Sequence, residues 1–430
     1  MPPTMAFSLA EFRLLPGRVS IFVLLGPAIF ILMRRSPRML GSDALMIAVG
    51  AWLIAASMYV EGFSSISSAV IETIEFCGAY LIGRAFVYGL SGLMEFIRVF
   101  KLVTIGLILL AMIDTLSGRH LVMEITGGIF GVQLSNAFME PRSLFGLTLI
   151  RAQSTFDHPI LYGTFCALAA PIFLYAESGL RRILYYGLCS FGCLLAASSA
   201  PLMSLAIATV IFVYDRILLQ YSWRWKLFWS VVSGLVGLSF LIANYPISWI
   251  ISHLTFDPAS GYYRIMIWEL ASAQISASPI TGYGFTAFND PVLDTSVDSV
   301  WLVGALRFGV PMIALLFLAN VAACVRALPK GALDAADPYM INMRTAFSVV
   351  VMMFMFNGLT VHFWNGSWMF WGLCLGIRGS LNEYFEAAAE QAQRYAQSWV
   401  ARSVAFSGAQ AAAVSAVGDL SSPLISEGGG

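Results

Sequence analysis

The sequence predicts an all-α fold, a polytopic bundle of membrane-crossing helices, and three observations carry that expectation. The 430-residue chain is 59% hydrophobic and only 11% charged, against about 25% charged in an average soluble domain. Its mean hydropathy is +0.79, which is more apolar surface than one water-facing core can hide. The apolar residues also gather in stretches near the ~20 needed to cross a bilayer. Lys+Arg and Asp+Glu balance at 24 each. That balance argues against a nucleic-acid partner, because such binders carry a basic excess.

About eleven stretches qualify as spans (roughly 10–12) on hydropathy. They cover 19–33, 44–60, 66–88, 99–116, 159–176, 183–197, 198–214, 227–243, 300–322, 345–361 and 364–381. Pro27, Pro171, Gly309 and Pro311 fall inside them and are tolerated where neighbouring helices satisfy the freed backbone groups. Basic residues follow alternate spans: Arg34, Arg35 and Arg38; Arg181 and Arg182; Arg216, Arg224 and Lys226; Arg326, Lys330 and Arg344. The positive-inside rule puts these on the cytoplasmic side. Two long loops, 117–158 and 244–299, then fall together on the opposite, periplasmic side and are expected to contain short helices. The same alternation leaves the C-terminus inside and the N-terminus outside. Glu11, Arg13 and Arg18 interrupt any signal-peptide h-region.

The membrane domain is therefore expected over residues 1–381. Past it, Tyr384, Ala388, Tyr395 and Trp399 recur at helical spacing, which predicts a cytoplasmic amphipathic helix over 382–406. The composition of 407–430 predicts a disordered tail. The six cysteines lie in apolar stretches without a CxxC pair, so neither a zinc site nor a disulfide framework is expected. Cys189 and Cys193 share a helix face, as packing residues do.

A protein built only to pack helices has no use for two long polar loops, and loops on a rigid scaffold carry function. The first contains Arg151 and then Asp157-His158-Pro159-Ile160-Leu161-Tyr162-Gly163. The second contains Arg264 and Trp268, Pro279-Ile280-Thr281-Gly282-Tyr283-Gly284, and Asp298-Ser299 opening a span that continues into Gly309-Val310-Pro311. In order, an arginine with HPxxxG, then RxxxW with PxxGxG, then a polar pair at a span start resembles the O-antigen ligase and polysaccharide polymerase (Wzy-like) superfamily. The resemblance covers a core of about residues 66–380 and is strongest over 151–163 and 262–311.

That resemblance implies an integral-membrane glycosyltransferase of the bacterial inner membrane. It would take glycan from an undecaprenyl-diphosphate-linked donor to a glycan acceptor at the periplasmic face, with no cofactor and no metal, and work beside chain-length regulator and export proteins. Ligases of the family usually carry His-Asn where this chain has Asp298-Ser299, and an acidic residue is common where it has Arg307. The first departure favours an exopolysaccharide polymerase over a ligase.

A departing lipid diphosphate needs cations, and arginine binds phosphate through a planar, permanently charged fork. Arg151 and Arg264 are the candidates, with interfacial arginines snorkelling to headgroups as the other reading. An acceptor hydroxyl needs a group to take its proton. Asp298 is the first choice, and an N-cap is its other reading. His158 is the rival, although Asp157-His158-Pro159 also reads as a helix start. Trp268 either stacks on a sugar or anchors at the interface. Glu72, Glu75 and Arg84 share the third span, where charges are costly and mark either function or a structural pair. Arg307 is expected to face the same cavity or pair with one of those glutamates. Gly282-Tyr283-Gly284 lacks the context of a nucleotide loop and reads as a turn. His120, His253 and His362 have no metal-ligand spacing. A membrane transporter and an assembly scaffold are the competing classes. The absence of an internal sequence repeat speaks against the transporter.

Overall fold

A computed structural model describes residues 2–5, 7–9, 12–130, 142–144, 147–242, 258–288, 290–325 and 337–419. Arg326, Lys330, His253 and residues 420–430, to which expectations attach above, lie outside the described residues. So do parts of both long loops. The chain divides into a larger unit, Met1–Arg326 with Pro338–Glu383, and a smaller one, Ala327–Asp337 with Tyr384–Gly430.

The apolar stretches of the larger unit are helical, and local signals set their ends. Pro16 and Pro159 open α1 (Pro16–Arg35) and α7 (Pro159–Ala176), where a missing N–H leaves no bond unmade. Among the described residues, seven helices are long and apolar enough to cross a membrane. They are α1, the Gly41–Phe86 segment, α5 (Gly89–Ser117), α7, α9 (Ser199–Ile217), α12 (Val300–Val325) and α13 (Pro338–Asn357). Shorter or less apolar helices lie between them: α8 (Gly179–Leu195), α10 (Arg224–Ile242) and α11 (Pro258–Ala277).

The 46-residue Gly41–Phe86 segment is two antiparallel limbs. The first, α2 (Gly41–Glu61), ends where Gly62 turns to φ +70°. The chain returns through α3 (Ile66–Thr73), a π-helical turn (Ile74–Gly78) and α4 (Ala79–Phe86). Asp43 near the start of α2 meets Arg84 near the end of α4 at 2.9 Å. Midway, the Cys77 thiol donates to the Met46 carbonyl at 3.4 Å.

Contacts of this kind sort the unit into two ends. At one, Glu383 accepts from both Arg35 (2.8 Å) and Arg84 (2.9 Å), and Asp215 pairs with Arg224 at 2.7 Å. At the other, the Asp114 carboxylate accepts from the Ser154 N–H at 2.8 Å, and the Ala152 N–H reaches the Leu195 carbonyl at 3.0 Å. There too the Trp268 indole donates to the Leu359 carbonyl at 3.3 Å. Successive helices thus run back and forth between an arginine-bearing end and a loop-bearing end. Cys189 and Cys193 are fully buried on their shared face.

Three expectations need correcting. Residues 382–406 are not a separate helix, because α14 runs unbroken over Gly366–Asp419. For the same reason 407–419 are helical rather than disordered: the stretch is rich in alanine, the strongest helix former, and meets no proline before Pro423. The loop elements are also more varied than short helices. The first loop holds α6 (Leu121–Phe130) and a hairpin of β3 (Arg142–Leu144) with β4 (Leu147–Leu149), and the second holds the 20-residue α11. A second three-residue hairpin, β1 (Phe7–Leu9) with β2 (Phe12–Leu14), lies near the N-terminus.

Candidate functional site

The site begins with a broken helix. Inside α12, Gly309 adopts φ +79°, a conformation in which an L side chain is strained. The break removes the normal donors to two carbonyls, since Val310 turns its N–H away and Pro311 has none. The PxxGxG segment supplies replacements. Tyr283 N–H donates to the Leu306 carbonyl at 2.8 Å, Gly284 N–H to the Arg307 carbonyl at 2.9 Å, and Val310 N–H reaches the Pro279 carbonyl at 2.8 Å. Gly282, at φ +66°, lies so close to the Leu306 carbonyl that a Cβ would overlap it. The motif is a turn, as expected, and its work is to complete the backbone bonding of a split helix. The Phe285 N–H then reaches the Glu61 carboxylate at the end of α2.

This docking sets Phe285 and Arg307 on the wall of a polar cavity of about 430 Å3. Five separate stretches of chain converge there, these two included. Arg18 comes from α1, Glu72 from α3, and Glu75 from the π-helical turn, a feature that recurs at functional sites. His362, Trp364 and Asn365 come from the α13–α14 connection, and Trp368 from the first turn of α14. Arg18 and Glu75 form an ion pair. Arg307 is held more loosely, with Glu72 at 3.9 Å and its guanidinium over the Phe285 ring at 5.4 Å. The buried Trp368 indole N–H has no hydrogen-bond partner among the described residues, while its ring stacks on Phe76 at 4.1 Å. Burial, reinforced by the charge on Arg307, pushes the His362 imidazole down to about 3. That histidine is therefore neutral at ordinary pH.

Charged forks, an unused indole donor and half-buried aromatic rings make a wall suited to an anionic, hydroxyl-rich ligand. The first loop also reaches the rim, where the Asn365 side chain donates to Asp157 at 2.9 Å.

Of the residues singled out by sequence, Arg307, Glu72 and Glu75 line this cavity, with Arg307 facing Glu72. Arg151, Arg264, Trp268, Asp298 and His158 do not line it. Arg151 lies at the α8–α9 turn, where its Nε donates to the Ala196 carbonyl at 3.3 Å. Arg264 is buried on α11, one turn before Trp268. Asp298 is half-buried and accepts from the Ser296 hydroxyl at 2.9 Å. It does not cap α12: Ser299 does, accepting from the Leu302 N–H at 3.4 Å while its hydroxyl donates to the Gly358 carbonyl at 2.8 Å. The hydroxyl wins because Ser299 directly precedes the first helical residue, Val300. His158 caps α7, its Nδ1 accepting from the Ile160 N–H at 3.0 Å. That bond uses the lone pair a base would need. Arg84 is separated from Glu72 and Glu75, being engaged at the other end by Asp43 and Glu383.

Sequence reasoning missed Arg18, His362, Asn365 and Trp368. Arg18 was read only as a break in an apolar run, and the three others fall in or beside a connection with no motif. Glu72 and Glu75 did carry a signal, as carboxylates inside a span. Among the described residues, no three His, Cys, Asp or Glu side chains gather where they would hold a metal. Compared with known proteins, the chain matches no family model and no curated relative.

Proposed function

We propose that this chain is an integral-membrane glycosyltransferase of the bacterial inner membrane. It polymerises, or transfers to another acceptor, oligosaccharide carried on undecaprenyl diphosphate, in exopolysaccharide or O-antigen synthesis. The observation that carries this reading is the convergence of Arg18, Arg307, Glu72 and Glu75 with unpaired and aromatic side chains in one polar cavity of an apolar bundle. In this reading the chain crosses the membrane eleven times, α8, α10 and the first part of α14 included. The loop-bearing end faces the periplasm.

In the transfer, the acceptor hydroxyl oxygen bonds to the anomeric carbon while the bond from that carbon to the diphosphate oxygen breaks. Arg307 and Arg18 hold the charge that develops on the departing diphosphate. The hydroxyl proton passes to a carboxylate. Glu72 is the one paired with Arg307, and Asp298, off the cavity lining, is the carboxylate that the sequence resemblance offers. Arg151, Arg264 and Trp268 then serve the loops that admit glycan. Membrane lipid surrounds the bundle, and chain-length regulator and export proteins are its expected partners.

A transporter is the second reading, favoured by the split in α12 beside intramembrane charges, an arrangement seen in transporter sites. One experiment separates them. Purified protein in detergent, given lipid-linked oligosaccharide, lengthens it or moves it to an acceptor if it is the enzyme, because chemistry needs no sealed compartment. Arg307→Lys should lose at least tenfold in that assay with normal expression, since the bidentate fork is gone. A protein inert in detergent that moves glycan across sealed vesicles is the transporter.

A further inference from the structure

A second hollow lies away from the polar cavity and shares no lining residue with it. It is an apolar furrow of about 690 Å3 between α10, α12 and α13. Trp225 and Trp229 form one wall, Phe317 and Cys324 another, and Met352 and Leu359 the third. Its flank is open, with Trp229 45% and Phe317 49% exposed. From Arg344 to Met352 along α13 the furrow covers about 12 Å at 1.5 Å per residue, which lies within the ~15 Å of hydrocarbon in one leaflet.

The furrow is not apolar throughout. Arg344 lines it at the arginine-bearing end, together with Ser348 and Cys324. Those two neighbours carry a second guanidinium. Arg378 is fully buried, with Nε donating to the Ser348 hydroxyl at 2.7 Å, Nη2 to the Cys324 carbonyl at 3.2 Å, and Nη1 to the Asn382 side chain. All three acceptors are neutral. A buried cation on neutral acceptors leaves its positive field uncancelled locally, and the field opens onto the furrow beside Arg344.

We propose that this furrow seats one anionic phospholipid of the surrounding leaflet. Its acyl chain lies against Trp229, Phe317 and Met352, and its phosphate lies on Arg344 with Arg378 behind. Basic pockets between membrane helices select anionic headgroups in this way. The site is independent of the proposed glycosyl transfer and stands or falls separately from it.

The test uses the full chain purified in detergent and native mass spectrometry with added phosphatidylglycerol or phosphatidylcholine of identical chains. Phosphatidylglycerol should be retained at least tenfold better, and Arg344→Gln should abolish the preference. Met352→Trp, which fills the furrow, should reduce retention of both lipids. Phosphatidylglycerol brominated on its chains should quench the fluorescence that Trp229→Phe removes, a readout that needs no arginine variant to fold. Equal retention of the two lipids would overturn the proposal, as would quenching that spares Trp229. Displacement of phosphatidylglycerol by an equal concentration of polyprenyl phosphate would assign the furrow to an isoprenoid instead.

Discussion

At position 299 a hydroxyl settles the role of its neighbour. Because Ser299 caps α12, Asp298 is released from that duty, and the two residues should respond differently to substitution. Ser299→Ala should destabilise the protein by about 1 kcal/mol, read as a lower melting temperature in detergent. Asp298→Asn should leave stability unchanged, so any loss of chain extension in that variant belongs to chemistry. His362 offers a pH test. Its folded pKa, about 3, lies below the ordinary 6.5, so between these values the unfolded chain binds the extra proton. The contribution of neutral His362 is thus complete above about pH 6.5 and is lost as pH falls towards 3. Wild-type protein should lose stability over that window more steeply than His362→Gln, as melting temperatures across a pH series would record. Matching slopes for the two proteins would remove His362 from the account.

At the scale of elements, the break in α12 and the loop that mends it are one device. Gly309 cannot accept a side chain: its φ is +79°, and a Cβ would overlap the Ile280 carbonyl. Gly309→Ala should therefore cost more than about 2 kcal/mol, from left-handed strain and from loss of the loop contacts. Because the same contacts place Phe285 and Arg307, activity in the detergent assay should fall further than stability alone explains. A melting temperature within a degree of wild type would show that the loop is not locked to the helix. The π-helical turn at Ile74–Gly78 is the parallel device on the opposite wall, where it presents Glu75 to Arg18.

For the whole molecule, the proposed orientation has a direct test. Ser222 lies in an exposed turn at the arginine-bearing end, and Thr286 is exposed beside the PxxGxG loop. The native cysteines are buried or half-buried, so introduced thiols should dominate labelling. In cells whose outer membrane is permeabilised, a membrane-impermeant thiol reagent should label Thr286→Cys and spare Ser222→Cys. The reverse pattern would turn the protein over and remove the periplasmic site. In a bilayer the alternation of basic turns and the placement of the site are one question, because only the loop-bearing end opens the polar cavity.

Hydropathy by itself determined the helical class, because a bilayer admits few backbone arrangements besides a continuous helix, but it misplaced some helix starts: α5 begins at Gly89 rather than 99 and α13 at Pro338 rather than 345. Proline punctuation likewise marked where α7 begins, whereas Gly309 and Pro311, expected to be accommodated within one span, break α12. Composition failed in the tail, where alanine-rich chain reads as low complexity but favours helix. What only tertiary structure decided is which charges meet. Arg18, Glu72, Glu75, Arg307 and His362 are distant in sequence, and nothing in their local spacing links them. Arg84 shares a span with the two glutamates yet serves the other end of the bundle. Pairing of charges across helices depends on helix rotation and packing, and that information is held by the whole set of contacts rather than by any one stretch of chain.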